Sequence, residues 1–455
     1  MSSFIKQFTI KGLFGYKDIK IDYDEPYKIL VGENGSGKTT ILNCLYYTLT
    51  RKFEMLANVR FERIRIDFSK GFALDFSKDE VTAFLDKDDK FQSTQFYRML
   101  SERVENKEYQ ILKGIVYSNE NPQVKTEKVK EKLNEMGFNF NAPSSYVYRN
   151  VVRLVHEYMS IDFAHKLEAL DNIPKYALFY FPTFRRVETS IMNWDAIFSK
   201  LNRRFPFIDK DDISSLMKDN LIQFGMEDVE SSIHGLTEEI NKRTKDGFAA
   251  IMGNLLSQLS KSPDDDKRNY SFEDKKIKII LDRLGNNVKE ADKEAIMKYA
   301  SSGKLDNKNL NYLIGKLIKL YEDQEVFDMA IKNFRDTCNH YLRDKQFVYN
   351  ESTVDLYMES AFKNERLNLE CLSSGEKQIV SLFSKIYLDV ESSFVMLLDE
   401  PELSLSIFWQ EQLLPDIIAS NKCKFLMAVT HSPFIYSNNE LKPYATGIAD
   451  FIVTE

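Results

Sequence analysis

The sequence predicts an α/β fold in which a mixed β lobe and a parallel-sheet core are interrupted by helical insertions. Residues 27–31 have the pattern of a short buried strand, and a glycine-rich loop and a helix follow directly. Further apolar strands are predicted at 176–181 and, near the end of the chain, at 394–399 and 423–429. Short apolar strands joined through helical segments are typical of a parallel sheet that is covered on both faces.

The composition is that of a large, mildly acidic chain. Its 455 residues suffice for two or three domains, and 62 Lys+Arg against 69 Asp+Glu give a net charge of −7. This balance argues against an extended basic surface for nucleic acid, although a local basic patch stays open. The sequence shows neither a leader pattern nor an apolar run near 18 residues, so we expect a cytoplasmic protein without membrane contact.

The cysteines show no disulfide or zinc-ligand spacing, so we expect them to be reduced residues of the core. They are Cys44, Cys338, Cys371 and Cys423.

The loop at 32–39 (GENGSGKT) matches the phosphate-binding pattern G-x-x-x-x-G-K-[ST]. Its glycines allow successive backbone N–H groups to turn towards phosphate oxygens. We expect Lys38 to contact the β- and γ-phosphates and the Thr39 hydroxyl to hold Mg²⁺. The residues expected to bind ATP in this segment are Gly32, Asn34, Gly35, Ser36, Gly37, Lys38, Thr39 and Thr40.

Alternating segments flank this unit and predict the β lobe. Residues 4–10 and 18–22 alternate in strand fashion, and 60–74 is predicted to form strands joined at a turn. The first turn carries Phe14 and Tyr16. These rings either stack on the adenine base or only pack the hairpin, and both uses stay open.

Two polar, helix-rich segments interrupt the α/β pattern. Residues 121–173 place apolar residues at helical spacing, and 189–350 does so over a longer stretch with several loops. Between Phe327 and Tyr341 apolar residues recur every three or four positions, which predicts a helical hairpin or bundle rather than a long rod. That stripe packs either within the subunit or on another subunit.

An aromatic strand at 176–181 separates the two insertions and ends at Pro182. Arg185 and Arg186 follow it, at the strand edge where ligands usually bind in α/β sheets. They are candidates for a γ-phosphate sensor or a contact across a dimer. The alternative is a surface pair bonded to nearby acids.

The segment 372–378 (LSSGEKQ) opens an apolar helix. Ser373 and Glu376 have the spacing of a capping box. In a second interpretation, the Ser373 hydroxyl and the Gly375 N–H bind a γ-phosphate at the positive helix end.

The strand at 394–398 runs into two carboxylates, which are costly at a buried edge without a metal or a donor. Asp399 suits the Mg²⁺ shell, and Glu400 suits the general base that activates the attacking water. His431, at the tip of the next strand, is placed to hydrogen-bond the γ-phosphate.

In this order, the phosphate loop, LSSGE, DEPE and THSP resemble the motifs of ABC-type, AAA-family ATPases of the SMC, Rad50, RecF and OLD group. The resemblance covers about 1–75, 176–188 and 351–455. It implies an ABC-ATPase head that dimerises around two ATP molecules, with Ser373 and Gly375 acting in trans and Ser404 in the D-loop facing the partner. The Q-loop glutamine has no match, so Arg185 or Arg186 is a candidate replacement, and Ser406 stands where many relatives have histidine.

The resemblance suggests the following division of the chain. The expected units are 1–120 (β lobe and phosphate loop), 121–173 (helical insertion), 174–188 (head strand), 189–350 (helical insertion and oligomerisation) and 351–455 (signature, acidic strand and histidine).

Because the sequence ends soon after His431, we expect neither a metal-binding Toprim domain nor a zinc-hook coiled coil. This layout is similar to stand-alone ATPases of bacterial anti-phage systems, the AriA family of PARIS more than the PtuA family of Septu. That resemblance implies a slow ATPase in a higher homo-oligomer, which holds a separate Toprim-type nuclease and releases it when a phage trigger protein is sensed. Nucleic-acid binding is allowed but not required. The alternatives are a RecF-like ATPase acting on DNA and a transporter ATPase subunit.

Overall fold

The computed structural model describes residues 3–86, 91–101, 104–138, 140–174, 176–182, 226–259, 273–285, 288–301, 307–388 and 393–453. The sensor candidates Arg185 and Arg186 lie outside the described residues. Within the described ranges, no helix is long and apolar enough to cross a membrane.

The β lobe is a four-stranded antiparallel sheet in the order β2-β1-β4-β5. Its strands are β1 (Ile5–Leu13), β2 (Lys17–Asp22), β4 (Arg63–Phe68) and β5 (Ala73–Ser77). Alternation along each strand sends one set of side chains inward, as with Ile64 and Ile66, while Arg63 and Arg65 face outward. The lobe predicted from the alternating segments is therefore confirmed.

The core sheet has five parallel strands in the order β12-β3-β11-β10-β6. They are β3 (Tyr27–Val31), β6 (Ala177–Phe181), β10 (Phe394–Asp399), β11 (Cys423–Thr430) and β12 (Ala445–Gly447). All six residues of β10 are buried, as expected for a central strand that is covered on both faces. Because the strands are parallel, the phosphate loop, the two carboxylates and His431 all follow strand ends at one edge.

The two faces of this sheet are covered by different elements. Val395 and Leu397 point towards the β lobe and α1 (Lys38–Leu49), whereas Met396 and Leu398 point to the opposite side. The opposite layer contains α12 (Glu325–Tyr341), α13 (Ser374–Tyr387) and α14 (Ile407–Ala419). The predicted α/β class is thus confirmed, with a β lobe that is antiparallel throughout beside the parallel core.

The first insertion is a helical bundle with a core of its own. Its helices are α3 (Lys78–Leu85), α4 (Gln95–Ser101), α5 (Asn106–Val116), α6 (Pro122–Glu135) and α7 (Ser144–Leu167), and α2 (Phe53–Ala57) precedes them. Leu100 and Leu112 share that core with Val151 and Leu154 of α7. Residues on both sides of the expected division at 120/121 therefore share one core.

The second helical segment divides between a small separate core and the main one. It contains α8 (Met226–Leu259), α9 (Asp274–Arg283), α10 (Glu290–Ser301) and α11 (Lys308–Glu322) before α12. Ile280, Ile314 and Leu317 form the small core, whereas Phe334, Cys338 and Tyr341 of α12 join the main core. The stripe from Phe327 to Tyr341 therefore packs mainly within the subunit.

A three-stranded antiparallel sheet connects α12 to α13. Its strands are β7 (Lys345–Asn350), β8 (Asp355–Ser360) and β9 (Arg366–Leu367), with β8 in the centre. The division expected at 350/351 lies within the β7–β8 hairpin. Of the cysteines expected in the core, Cys44, Cys338 and Cys423 are buried, but Cys371 is exposed, which corrects that expectation.

In the described part of the chain, short 3₁₀ helices lie at Phe91–Ser93, Glu168–Asn172, Leu369–Cys371, Pro433–Tyr436, Lys442–Tyr444 and Ile448–Phe451.

Candidate functional site

The loop between β3 and α1 has the backbone of an anion cradle. Gly35 and Gly37 adopt φ values of 80° and 101°, in the left-handed region that favours glycine. Helix α1 begins without a side-chain cap and without an acidic residue in its first turn. Its first N–H groups therefore have no capping acceptor from a side chain, which suits a phosphate at this helix end.

Lys38 is the buried cation of this cradle. Its Nζ donates to the carbonyl oxygens of Gly32 at 2.7 Å and Glu33 at 3.0 Å. The same Nζ lies 3.2 Å from Nε2 of His431. Burial lowers the pKa of Lys38, while the nearby carboxylates, Glu400 first among them, oppose this shift. A cation held in this way is ready to exchange its carbonyl partners for phosphate oxygens.

Thr39 and Asp399, the two residues expected to hold Mg²⁺, are in direct contact. The Thr39 Oγ1 donates a hydrogen bond of 2.8 Å to Asp399 Oδ1, and Asp399 is fully buried. A hydroxyl beside a single carboxylate fits Mg²⁺, which usually takes one or two carboxylates and completes its shell with water and phosphate. In the described part of the chain, no group of three or more His, Cys, Asp and Glu residues is arranged as an all-protein metal site.

Glu400 and His431 stand together at the strand tips. Glu400 Oε1 lies 2.9 Å from Nε2 of His431, and both side chains are partly open to solvent. Glu400 has φ of 49°, a left-handed conformation that is uncommon for a residue with a Cβ and is often found at functional sites. This conformation turns the chain sharply after β10 and leaves the carboxylate at the open edge.

Glu402 also belongs to the site, although its role was not predicted from the sequence. Its Oε1 accepts hydrogen bonds from the Thr430 hydroxyl, the His431 N–H and the Ser432 N–H. The available signal was a second glutamate two positions after Glu400, in DEPE. That spacing alone does not show which loop the carboxylate reaches.

The LSSGE segment forms the capping box that its spacing predicts. The Glu376 Oε2 accepts from the Ser373 N–H at 2.7 Å, and the Ser373 hydroxyl accepts from the Glu376 N–H at 3.4 Å. Lys345 of β7 donates to both oxygens of Glu376 at 3.1 Å. A Cβ at Gly375 would lie 2.6 Å from the Ser404 carbonyl, so this approach requires glycine.

Within the same chain, Ser373 therefore contacts Glu376, and Gly375 contacts the Ser404 carbonyl. Among the described residues, no hydrogen bond joins either of them to the loop at 32–39. Ser373 is exposed, whereas Gly375 is buried.

The two aromatic residues of the first turn differ in their surroundings. The ring of Phe14 packs so closely on Gly37 that a Cβ at Gly37 would lie 3.0 Å from it. Tyr16 is 73% exposed, with the Lys17 ammonium 5.5 Å from its ring centre. Lys17 also donates to the Ser36 carbonyl at 3.3 Å. Phe14 thus packs against the phosphate loop, whereas the ring of Tyr16 lies near that loop and is largely exposed to solvent.

Among solved structures, the chain is similar to three SMC head domains. One, from Pyrococcus furiosus, has an extended coiled coil and is bound to the C-terminal domain of ScpA; it is 13% identical, with 95% of this chain and 91% of that chain covered and a TM-score of 0.34. A second, bound to the C-winged helix domain of ScpA, is 10% identical, with 95% and 91% covered and a TM-score of 0.33. A third, from Pyrococcus yayanosii, has a coiled coil and joint and is 12% identical, with 95% and 93% covered and a TM-score of 0.31.

No curated protein matches the sequence. A family model described as an AAA ATPase domain matches residues 4–436, which include the loop at 32–39, Asp399, Glu400 and His431. The chain therefore belongs to the AAA ATPase domain family.

Proposed function

We propose that this protein binds ATP with Mg²⁺ and hydrolyses it slowly. The observation that carries the proposal is the meeting of Lys38, Thr39, Asp399, Glu400 and His431 at one edge of the parallel sheet. Thr39 donates to Asp399, and the His431 ring lies within hydrogen-bond distance of both Lys38, at Nδ1, and Glu400, at Nε2. These are the residue types that phosphoryl transfer to water requires.

Each residue has a distinct role in the proposed reaction. Lys38 and the first N–H groups of α1 bind the phosphates, and Thr39 with Asp399 would hold Mg²⁺, which supplies positive charge to the phosphate oxygens. Glu400 takes the proton of the attacking water. His431 either shares that proton with Glu400, because its ring is within hydrogen-bond distance of the carboxylate, or donates a hydrogen bond to the γ-phosphate.

The proposal extends to a dimer in which Ser373 and Gly375 act on the partner's nucleotide. Ser373 is exposed at the start of α13, and the adjoining Ser404 turn is also exposed. Next to this turn lie the apolar side chains of Leu403, Ile407 and Phe408, which are 36%, 54% and 52% exposed. Clustered apolar residues beside a polar site favour contact with another protein surface.

The motif resemblance supports one further step, in which the ATPase assembles as a higher homo-oligomer and gates a separate effector. We propose that the effector is a Toprim-type nuclease in anti-phage defence and that a phage trigger protein releases it. The alternative is a RecF-like ATPase that acts on DNA. The first function predicts a nuclease-like protein bound to the ATP-loaded ATPase, and the alternative predicts bound DNA.

The test uses tagged Glu400→Gln protein expressed with its native gene neighbours and purified with ATP and Mg²⁺. Glutamine keeps the size of Glu400 but cannot accept the proton, so ATP should stay bound. Lys38→Ala, which should not bind ATP, is the matched control. We expect a large homo-oligomer carrying a nuclease-like protein only in the first variant. A bare dimer carrying DNA would instead support the repair-type function.

The hydrolysis itself is tested by phosphate release from purified wild-type protein. We expect slow turnover in the wild type and none above background in Lys38→Ala or Glu400→Gln. Turnover that survives both substitutions would contradict the proposed site.

A further inference from the structure

Glu402 joins two loops that both reach the reacting end of the site. Its Oε1 accepts from the Thr430 hydroxyl at 2.7 Å, the His431 N–H at 2.9 Å and the Ser432 N–H at 3.2 Å. One carboxylate oxygen thus holds three consecutive residues at the tip of β11. Hydrogen bonds to a charged acceptor are stronger than those to a neutral one.

Gln410 of α14 bridges the same two loops from another side. Its Nε2 donates to the Leu405 carbonyl at 3.0 Å, and its Oε1 accepts from the Ser432 hydroxyl at 2.6 Å. The turn at 400–405 and the tip at 430–432 are therefore connected by two independent side chains. Displacing one loop would strain or break bonds to the other.

The turn at 400–405 also supports the start of α13. Its Ser404 carbonyl is the atom that excludes a Cβ at Gly375, and the Pro401 carbonyl accepts from Gln378 Nε2 at 3.2 Å. Glu400 and Ser404 both have positive φ, at 49° and 70°. Such conformations are unfavourable for residues with a Cβ, so surrounding contacts must hold them.

We infer that Glu402 is a positioning residue for hydrolysis, acting through His431. Its carboxylate fixes the backbone of His431, and this keeps the imidazole 2.9 Å from Glu400. The alignment of Glu400 and His431 then depends on the turn against which α13 rests. This inference rests on the proposed ATPase function, but Glu402 itself contacts neither the nucleotide nor the water in that scheme.

The first test compares Glu402→Gln with Glu440→Gln. Glutamine keeps the size and one acceptor oxygen of Glu402, so the fold should persist, and exposed Glu440 undergoes the same charge change outside the site. We expect kcat to fall about tenfold to a hundredfold in Glu402→Gln, as for a small misplacement of a reacting group. The KM for ATP should change less than about threefold, and Glu440→Gln should match the wild type.

A double mutant separates positioning from a general structural role. If Glu402 acts through His431, Glu402→Gln combined with His431→Ala should be no slower than His431→Ala alone. Multiplied effects of the two substitutions would overturn the inference. A parallel rise of KM and loss of thermal stability in Glu402→Gln would do the same.

A second readout needs no turnover. The chain has five histidines, and His431→Ala identifies the His431 signal among ¹⁵N-labelled imidazoles. The Glu400 carboxylate, 2.9 Å from Nε2, only accepts, and the Lys38 ammonium, 3.3 Å from Nδ1, only donates, so together they favour the Nε2–H form of the ring. We expect Glu402→Gln, but not Glu440→Gln, to shift this signal or mix the two ring tautomers. An unchanged signal in Glu402→Gln would overturn the inference, whereas absent wild-type turnover would contradict only the proposed function.

Discussion

Thr39 and Asp399 lie 360 positions apart in the sequence and are joined by a hydrogen bond of 2.8 Å between Oγ1 and Oδ1. The bond connects the first turn of α1 to the end of β10. Asp399 is fully buried, so its carboxylate depends on such partners to offset the loss of hydration. Mg²⁺ would be held by the same two groups, Asp399 through its carboxylate and Thr39 through a lone pair of its hydroxyl, which would keep its proton.

The first prediction concerns this pair. In Asp399→Asn the neutral amide is a poor Mg²⁺ ligand, so the gain in ATP affinity on adding Mg²⁺ should fall below about twofold. Thr39→Ser keeps the hydroxyl and should retain the wild-type gain. Equilibrium titration of a fluorescent ATP analogue, with and without Mg²⁺ at constant ionic strength, measures it. A full Mg²⁺ effect in Asp399→Asn would remove this residue from the metal site.

The second prediction tests whether Ser373 acts in trans. The bulky side chain of Ser373→Arg should block the composite site, and Lys38→Ala should lose phosphate binding, so each variant alone should lack turnover. Mixed in equal amounts, they should recover up to about a quarter of wild-type activity, because a mixed dimer keeps one intact site. Phosphate release on mixing measures this. Activity that stays at background would show that Ser373 does not complete a partner's site.

The third prediction concerns how the stability of the fold changes at acid pH. Burial raises the pKa of Glu376, but hydrogen bonds from the Ser373 N–H and Lys345 outweigh it, so the pKa lies below its ordinary value. A carboxylate with a depressed pKa stabilises the fold above its unfolded pKa, and this stability is lost as the pH falls through the folded value.

Glu376→Gln keeps an acceptor for the capping box but loses the charge that faces Lys345, so the melting temperature at neutral pH should fall by the equivalent of about 1 kcal/mol, the difference between charged and neutral hydrogen bonds. The difference from wild type should shrink as the pH falls below about 4.5, the ordinary pKa of the group. Thermal unfolding at several pH values checks this, with Glu440→Gln as the exposed control. A difference that grows towards acid pH would refute the assigned sign.

The fourth prediction concerns Arg283 of α9 and Asp328 of α12. Their side chains are completely buried and 2.6 Å apart, and Asp328 also accepts from the Tyr349 hydroxyl. Removing one partner leaves an unpaired buried charge, so Asp328→Leu should cost about 3–5 kcal/mol. Arg283→Met combined with Asp328→Leu should recover part of that loss. Thermal unfolding of the single and double variants measures it, and additive losses would show that the two residues do not act as a pair.

Much of the site was predictable because its signals are local. The run from Tyr27 to Thr39 carries strand, glycines, lysine and hydroxyl within one short segment, and the capping box of Ser373 and Glu376 needs only a spacing of three. The placement of both carboxylates and His431 at one edge followed from parallel pairing. At these positions, the structure that the local sequence favours is also the one that the tertiary contacts favour.

Other features depend on contacts between distant segments. The three donors that meet Glu402 Oε1 belong to another strand's tip, and the partner of Gly375 is the Ser404 carbonyl on a separate turn. The core shared across position 120 and the β7–β8 hairpin around position 350 are likewise properties of the folded chain. Hydrophobic spacing reports which residues are buried but not against which neighbour.

The strand order has a consequence for synthesis. β3 ends at Val31, yet its neighbours in the sheet, β11 and β12, begin at Cys423 and Ala445. At about 5–20 residues per second, the ribosome needs roughly 20–80 s to deliver β11 after β3. During that interval the phosphate loop and α1 lack the strand that orders their edge of the sheet. The apolar faces of β3 and β6 therefore cannot be buried in this sheet until the segment that begins at Phe394 has been synthesised.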